Sequence, residues 1–241
     1  MPTDTNKPWE QCLGEYLAEV VARRPNKTFI EIGGLSRTYQ EFWDGVLKSA
    51  AMFSALGIEK GDRVCLFLPN CIEYVYSWFG LSVIGGISVP VNTAYKRDEM
   101  AYILNNAEAK GLITDASLSE VAGAAADLSP SVEFRLLRGI EGSVPEGWTN
   151  FALEHEDSVP LQELPDISPH DISMLVYTSG TTGNPKGVMC THLMYVAAGQ
   201  GFAHWTQATS EDRFFTCLPY YLSLIHISEP TRRTPISYAV F

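Results

Sequence analysis

Residues 171–187 read Asp171-Ile-Ser-Met-Leu-Val-Tyr-Thr-Ser-Gly-Thr-Thr-Gly-Asn-Pro-Lys-Gly187. An apolar run, Asp171 to Tyr177, predicts a buried strand. A loop from Thr178 to Gly187 follows without a break, and a helix is expected from about His192 to Thr206. The same order recurs upstream. Arg63 to Leu68 reads as a short strand with a helix starting near Cys71, and Gly111 to Thr114 reads as a strand between helices Arg97–Ala107 and Leu118–Ala126. Strands alternating with helices predict an α/β fold with a mostly parallel, doubly wound sheet covered by helices on both faces.

Farther out the pattern is helical and then hairpin-like. Trp9 to Arg23 carries Leu13, Leu17, Val20 and Val21 on one face and is stopped by Pro25. Thr28–Ile32 and Leu35–Tyr39 flank Gly33-Gly34, a turn pair. Gln40 to Leu56 points Phe42, Val46, Ala50 and Phe53 inward and ends at Gly57. Tyr74 to Tyr95 holds no charged residue, which raises the question of a membrane span. Gly85-Gly86 and Pro90 interrupt it, so a helix ending at the glycines and a buried strand Ile87–Val91 fit better. Ser129 to Pro169 is expected to be an irregular connection with at most one or two short strands. Arg213 to Cys217 is expected to return as a strand.

The chain has 241 residues, 46% hydrophobic and 19% charged, with a net charge of −11. That charge argues against a nucleic-acid partner, which needs clustered Lys and Arg, but one small anion needs only local donors. The five cysteines form no C-x-x-C pair, and the start lacks the apolar core of a signal peptide. A reduced, cytoplasmic setting is expected. No His, Cys and Asp spacing suggests a metal held by the protein.

The loop concentrates the chemistry. Gly180, Gly183 and Gly187 let the backbone turn tightly and bring N–H groups close to an anion. Thr178, Ser179, Thr181 and Thr182 add hydroxyl donors, and Asn184 lies in the same loop. Lys186 supplies positive charge, which Pro185 helps to aim by restricting the backbone. The P-loop pattern fails, because four residues after Gly180 the required glycine is Pro185. A dinucleotide G-x-G-x-x-G is absent too, and a bland Gly/Ser/Thr turn is the alternative.

Tyr177 to Val188, with Thr191-His192 behind it, resembles the signature of the adenylate-forming superfamily. Leu35 to Phe42 resembles that superfamily's early Thr-Tyr-x-Glu motif, and Leu81 to Asn92 its second core motif. The similarity covers nearly all of residues 10–221, within acyl- and aryl-CoA synthetases, luciferase and peptide-synthetase adenylation domains. It implies the opening part of a large N-terminal domain and a two-step ligase. A carboxylate would attack the α-phosphate of ATP, with Mg2+ arriving on the ATP, and coenzyme A would then displace AMP. Residues 178–187 would bind the β- and γ-phosphates, with Lys186 stabilising the pyrophosphate as it leaves. Pro90-Val-Asn92 and Thr93-Ala-Tyr-Lys-Arg97 look most like ligases for fatty, carnitine or crotonobetaine acyl groups, which implies a place in lipid metabolism. A peptide-synthetase loading or luciferase-like activity is the alternative, as is a non-catalytic phosphate-binding remnant.

The resemblance stops after Cys217-Leu-Pro-Tyr-Tyr221, where Leu222 replaces an expected histidine. A common transposase-type sequencing adapter, translated in frame, gives Leu222 to Arg232, and its far end gives Ile236 to Phe241. Two segments are therefore expected: 1–221, family domain, and 222–241, an adapter-derived tail in which His226 and Glu229 have no role. The later Thr-Glu motif, the ribose-holding Asp and the lid lysine of the family are not in the sequence, so this chain is expected to be inactive alone. Among other residues, His155 and His170 are expected to be exposed, with Glu154, Glu156 and Asp157 a solvated acidic run. His192 could cap, pack or touch nucleotide. His204 and Trp205 are expected to pack.

Overall fold

The computed structural model describes residues 10–178 and 184–223. Helix α1 (Leu13–Arg23) leads to a hairpin of β1 (Thr28–Ile32) and β2 (Leu35–Thr38). Its two-residue turn needs positive φ twice, and Gly33 at 58° and Gly34 at 80° supply it. Helix α2 (Tyr39–Ala55) then starts on a reciprocal cap. The Thr38 hydroxyl accepts from the Glu41 N–H at 3.2 Å, and the Thr38 N–H donates to the Glu41 carboxylate at 2.8 Å. The Thr-Tyr-x-Glu motif is thus a capping box, which satisfies two otherwise open donors.

The units that follow are β3 (Arg63–Phe67), α3 (Ile72–Ile84), β4 (Ile87–Pro90), α4 (Arg97–Asn106), β5 (Gly111–Asp115) and α5 (Ser119–Ala126). The uncharged run around residue 80 is therefore a buried helix and a buried strand. Gly85 ends α3 in the left-handed region at φ 75°. Among the described residues no helix is long and apolar enough to cross a membrane.

Next come β6 (Phe134–Arg138), β7 (Thr149–Asn150), α6 (Phe151–Asp157), β8 (Ile172–Thr178), β9 (Lys186–Thr191), α7 (His192–Thr206) and a last turn, α8 (Tyr220–Ser223). The main sheet has seven strands in the order β7-β6-β5-β3-β4-β8-β9. Every pairing in it is parallel except β8 with β9. Alternate residues of β3 serve two cores. Val64 and Leu66 pack with α1, α2 and α3, while Cys65 and Phe67 pack with α4 and α5. Both faces of the parallel strands are covered, as their continuous apolar runs require.

Five expectations need correction. Strand β9 was not anticipated; it forms because β8 offers it a free edge. Residues 213–217 form no strand and pair with none, and Phe215 is 74% exposed. The connection after Ser129 holds two short strands but also helix α6, started by the Asn150 side chain, which accepts from the N–H groups of Ala152 and Leu153. On that helix His155 is half-buried, stacked on Tyr76 at 5.2 Å and Phe151 at 5.8 Å, and its Nε2 donates to the Gly45 carbonyl at 2.8 Å. Burial lowers its pKa. His170 is exposed as expected; His204 and Trp205 are exposed too, rather than packed.

Candidate functional site

In a doubly wound sheet, loops at the carboxyl ends of the strands meet where successive helices leave to opposite faces. That place here lies between β3 and β4, since α3 packs on one face of the sheet and α4 on the other. Strand β8 runs parallel beside β4 and delivers Thr178 to the same edge. The strand that enters the candidate phosphate loop therefore ends at the same carboxyl edge, with β4 between it and the switch point.

The loop's two feet are paired. Thr178 lies opposite Lys186, and Tyr177 opposite Gly187, in the antiparallel register of β8 and β9. Lys186 is exposed, and among the described residues it makes no ion pair. Asn184 is exposed and Pro185 half-buried. Ser179, Gly180, Thr181, Thr182 and Gly183 lie outside the described residues, as does the expected tail beyond Ser223.

Three contacts at this edge were not foreseen. The Tyr102 hydroxyl of α4 donates to the Pro185 carbonyl at 3.1 Å. One turn on, the Asn106 carboxamide oxygen accepts from the Tyr177 hydroxyl at 2.7 Å. Burial pushes the Tyr177 pKa up to about 12, so its phenol stays a donor at neutral pH. The third is at the exit of β3. Asn70 donates to the Leu218 carbonyl at 2.8 Å and accepts from the Tyr220 N–H at 2.8 Å. It thereby clamps the Cys217-to-Tyr221 segment at the crevice, with the Tyr220 ring 5.3 Å from that of Tyr74. A polar residue directly after a buried strand, as in Leu68-Pro69-Asn70, was the available signal.

His192 lies behind the loop, fully buried, and Thr191 rather than His192 caps α7, accepting from the Met194 N–H at 3.3 Å. The His192 Nδ1 accepts from the Leu13 N–H at 3.3 Å, which leaves the ring proton on Nε2. Among the described residues Nε2 has no partner. Burial is the main cause that pushes the His192 pKa down to about 4.

A mostly parallel sheet covered by helices on both faces, with this loop leaving its carboxyl edge, defines a doubly wound α/β domain. The chain belongs to the AMP-binding enzyme family, whose model matches residues 17–230, running past Tyr221. The crotonobetaine/carnitine–CoA ligase of Escherichia fergusonii is 33% identical over 207 residues, which are 84% of this chain and 40% of that protein. This chain thus spans about two-fifths of the length of the curated relatives it matches. Among solved structures, the long-chain-fatty-acid–CoA ligase FadD1 of Archaeoglobus fulgidus aligns at TM-score 0.78 with 27% identity, covering 88% of this chain and 43% of that one. The anthranilate–CoA ligase AuaEII, solved with anthranoyl-AMP, aligns at TM-score 0.76 with 26% identity, covering 81% of this chain and 38% of that one.

Proposed function

We propose that the whole protein is an AMP-forming acid–thiol ligase whose substrate is a fatty or carnitine-like carboxylate. In the first step a carboxylate oxygen attacks the α-phosphorus of Mg-ATP, and the bond to the β-phosphate oxygen breaks, giving acyl-adenylate and pyrophosphate. In the second, the coenzyme A sulfur attacks the acyl carbon, the thiol proton is lost and AMP departs. The observation that carries this reading is the Gly/hydroxyl/Lys loop whose feet, Thr178 and Lys186, are paired at the carboxyl edge of the sheet, one strand from its switch point.

Within it, Thr178 and the loop hydroxyls bind the β- and γ-phosphates. Lys186 meets the charge that builds on pyrophosphate as the bond breaks, a contribution made mostly in the transition state. The acyl preference is drawn from the carnitine-type relatives. The five free thiols suit a reduced cytoplasm. Residues 1–221 are the family's own domain and 222–241 are adapter-derived. Sequencing source DNA past the Tyr221 codon tests this boundary, and recovery of the same tail from independent DNA removes it.

Carboxylate-dependent exchange of labelled pyrophosphate into ATP tests the activity. The uninterrupted gene product exchanges with a fatty acid or carnitine, and its Lys186→Ala variant falls by about a hundredfold or more, as for removal of one oxyanion-type donor. The 241-residue chain gives no exchange. An uninterrupted enzyme that is silent with every carboxylate, or indifferent to Lys186, removes the assignment.

A further inference from the structure

The two hydrogen bonds from α4 reach both feet of the loop. Tyr102 and Asn106 are one helical turn apart and so project from the same side of α4. Tyr102 holds the carbonyl of Pro185, the residue directly before Lys186. Asn106 holds the hydroxyl of Tyr177, the residue directly before Thr178. One bond thus holds the backbone, and the other a side chain, one residue from a member of the Thr178–Lys186 pair.

Gly187 belongs to the same arrangement. It faces Tyr177 across the strands, and a Cβ there would stand 3.3 Å from the Tyr177 ring and 3.5 Å from its hydroxyl oxygen. A side chain at 187 would crowd the ring and the hydroxyl that bonds Asn106. The glycine that resembles a phosphate-loop residue therefore also leaves room for the tyrosine across the stem.

Strand β9 has a particular need for such a support. It is the last strand of the sheet and pairs only with β8, so among the described residues no second strand holds it in register. An edge strand held on one side opens at lower cost than a central one.

We infer that α4 is the platform that sets the place of Lys186, with Tyr102, Asn106 and Tyr177 as positioning residues and Gly187 as the gap that lets Tyr177 reach its acceptor. This rests on the proposed phosphate-binding reading of Lys186. The platform lies on the opposite face of the sheet from α7. The helix after the loop and the helix beneath it therefore restrain the stem from two sides.

The test uses the full 241-residue chain, with hydrogen exchange and binding of inorganic pyrophosphate with Mg2+ as separate readouts. In Tyr102→Phe and in Tyr177→Phe, the protected amides of residues 186–191 exchange about fivefold faster, the worth of one net hydrogen bond. Amides of residues 63–67 and 111–115 keep their rates. Pyrophosphate affinity falls by a similar factor in each. Gly187→Ala repeats the Tyr177→Phe effect, and the two combined do not add, because both remove one contact.

Unchanged exchange at 186–191 in both phenylalanine variants overturns the platform. Faster exchange with unaltered pyrophosphate affinity overturns the positioning role and leaves a structural tie. A wild-type chain that does not bind pyrophosphate removes the phosphate reading and the positioning with it, while the exchange rates still report whether the tie exists.

Discussion

Strand β3 has five residues and strand β9 six, yet they owe their conformation to different causes. In β3, Val64, Cys65, Leu66 and Phe67 are all fully buried, divided between two cores. In β9, Val188 is 46% and Met189 62% exposed. Burial on both faces makes β3 a strand. Pairing with β8 makes β9 one, and the candidate site stands on that less supported element. A loop that must admit and release a charged ligand is better placed on a stem that opens at modest cost than on one locked into the core.

The largest effect that could break this contrast is at Phe67. Phe67→Ala is expected to cost about 3–5 kcal/mol through lost burial and a cavity, read as a shift in the urea unfolding midpoint. A loss below about 1 kcal/mol would mean that the α4 side of the sheet repacks freely, and the two strands would no longer differ in kind.

A middle-sized effect belongs to His192, the buried point that joins the flank of β9 to α1. The folded chain keeps this ring neutral down to about 4 against an ordinary value of 6.5, chiefly through burial. Above pH 6.5 neither state is protonated and the group is silent. Between pH 6.5 and about 4 the unfolded chain binds the proton and the folded chain does not. Stability therefore falls through that window by up to about 3 kcal/mol, then levels off. His192→Asn keeps an acceptor for the Leu13 N–H but cannot titrate, so its profile is expected to be flatter there. An equally steep profile in the variant would assign the acid sensitivity to other groups.

The smallest effect sharpens the other side of the contrast. Met189→Ser on β9 is expected to change stability by no more than about 0.5 kcal/mol in the same unfolding measurement. A loss of 2 kcal/mol or more would show that the outer face of β9 is packed.

How much of this was readable from the chain follows the same division. The parallel strands announced themselves as apolar runs, Gly33-Gly34 as a hairpin turn, and Gly85 as a helix end, because each of these depends on residues near it in sequence. Strand β9 did not, because Lys186-Gly-Val-Met-Cys-Thr191 has no alternation and becomes a strand only against β8. Helix α6 was hidden because it is one short turn pair with a single buried apolar residue, Phe151, and its other inward contact is His155, a residue type that reads as polar, against Tyr76. Residues 213–217 misled in the opposite direction, with strand-like composition and no strand paired to them. At the site, the loop itself was legible as local chemistry. Its supports were not, since Tyr177 and Asn106 are 71 residues apart, Tyr102 and Pro185 83, and Asn70 and Leu218 148.

The central place of β3 has a consequence for how the chain is made. Residues 63–67 leave the ribosome before either neighbour, β4 at 87–90 or β5 at 111–115, exists to pair with them. The sheet therefore assembles outward in both directions from its oldest strand, and until residue 115 is made that strand has a bare edge. Translation speed across this interval bears on yield, because a slow stretch there prolongs the time in which two nascent chains can pair with each other instead.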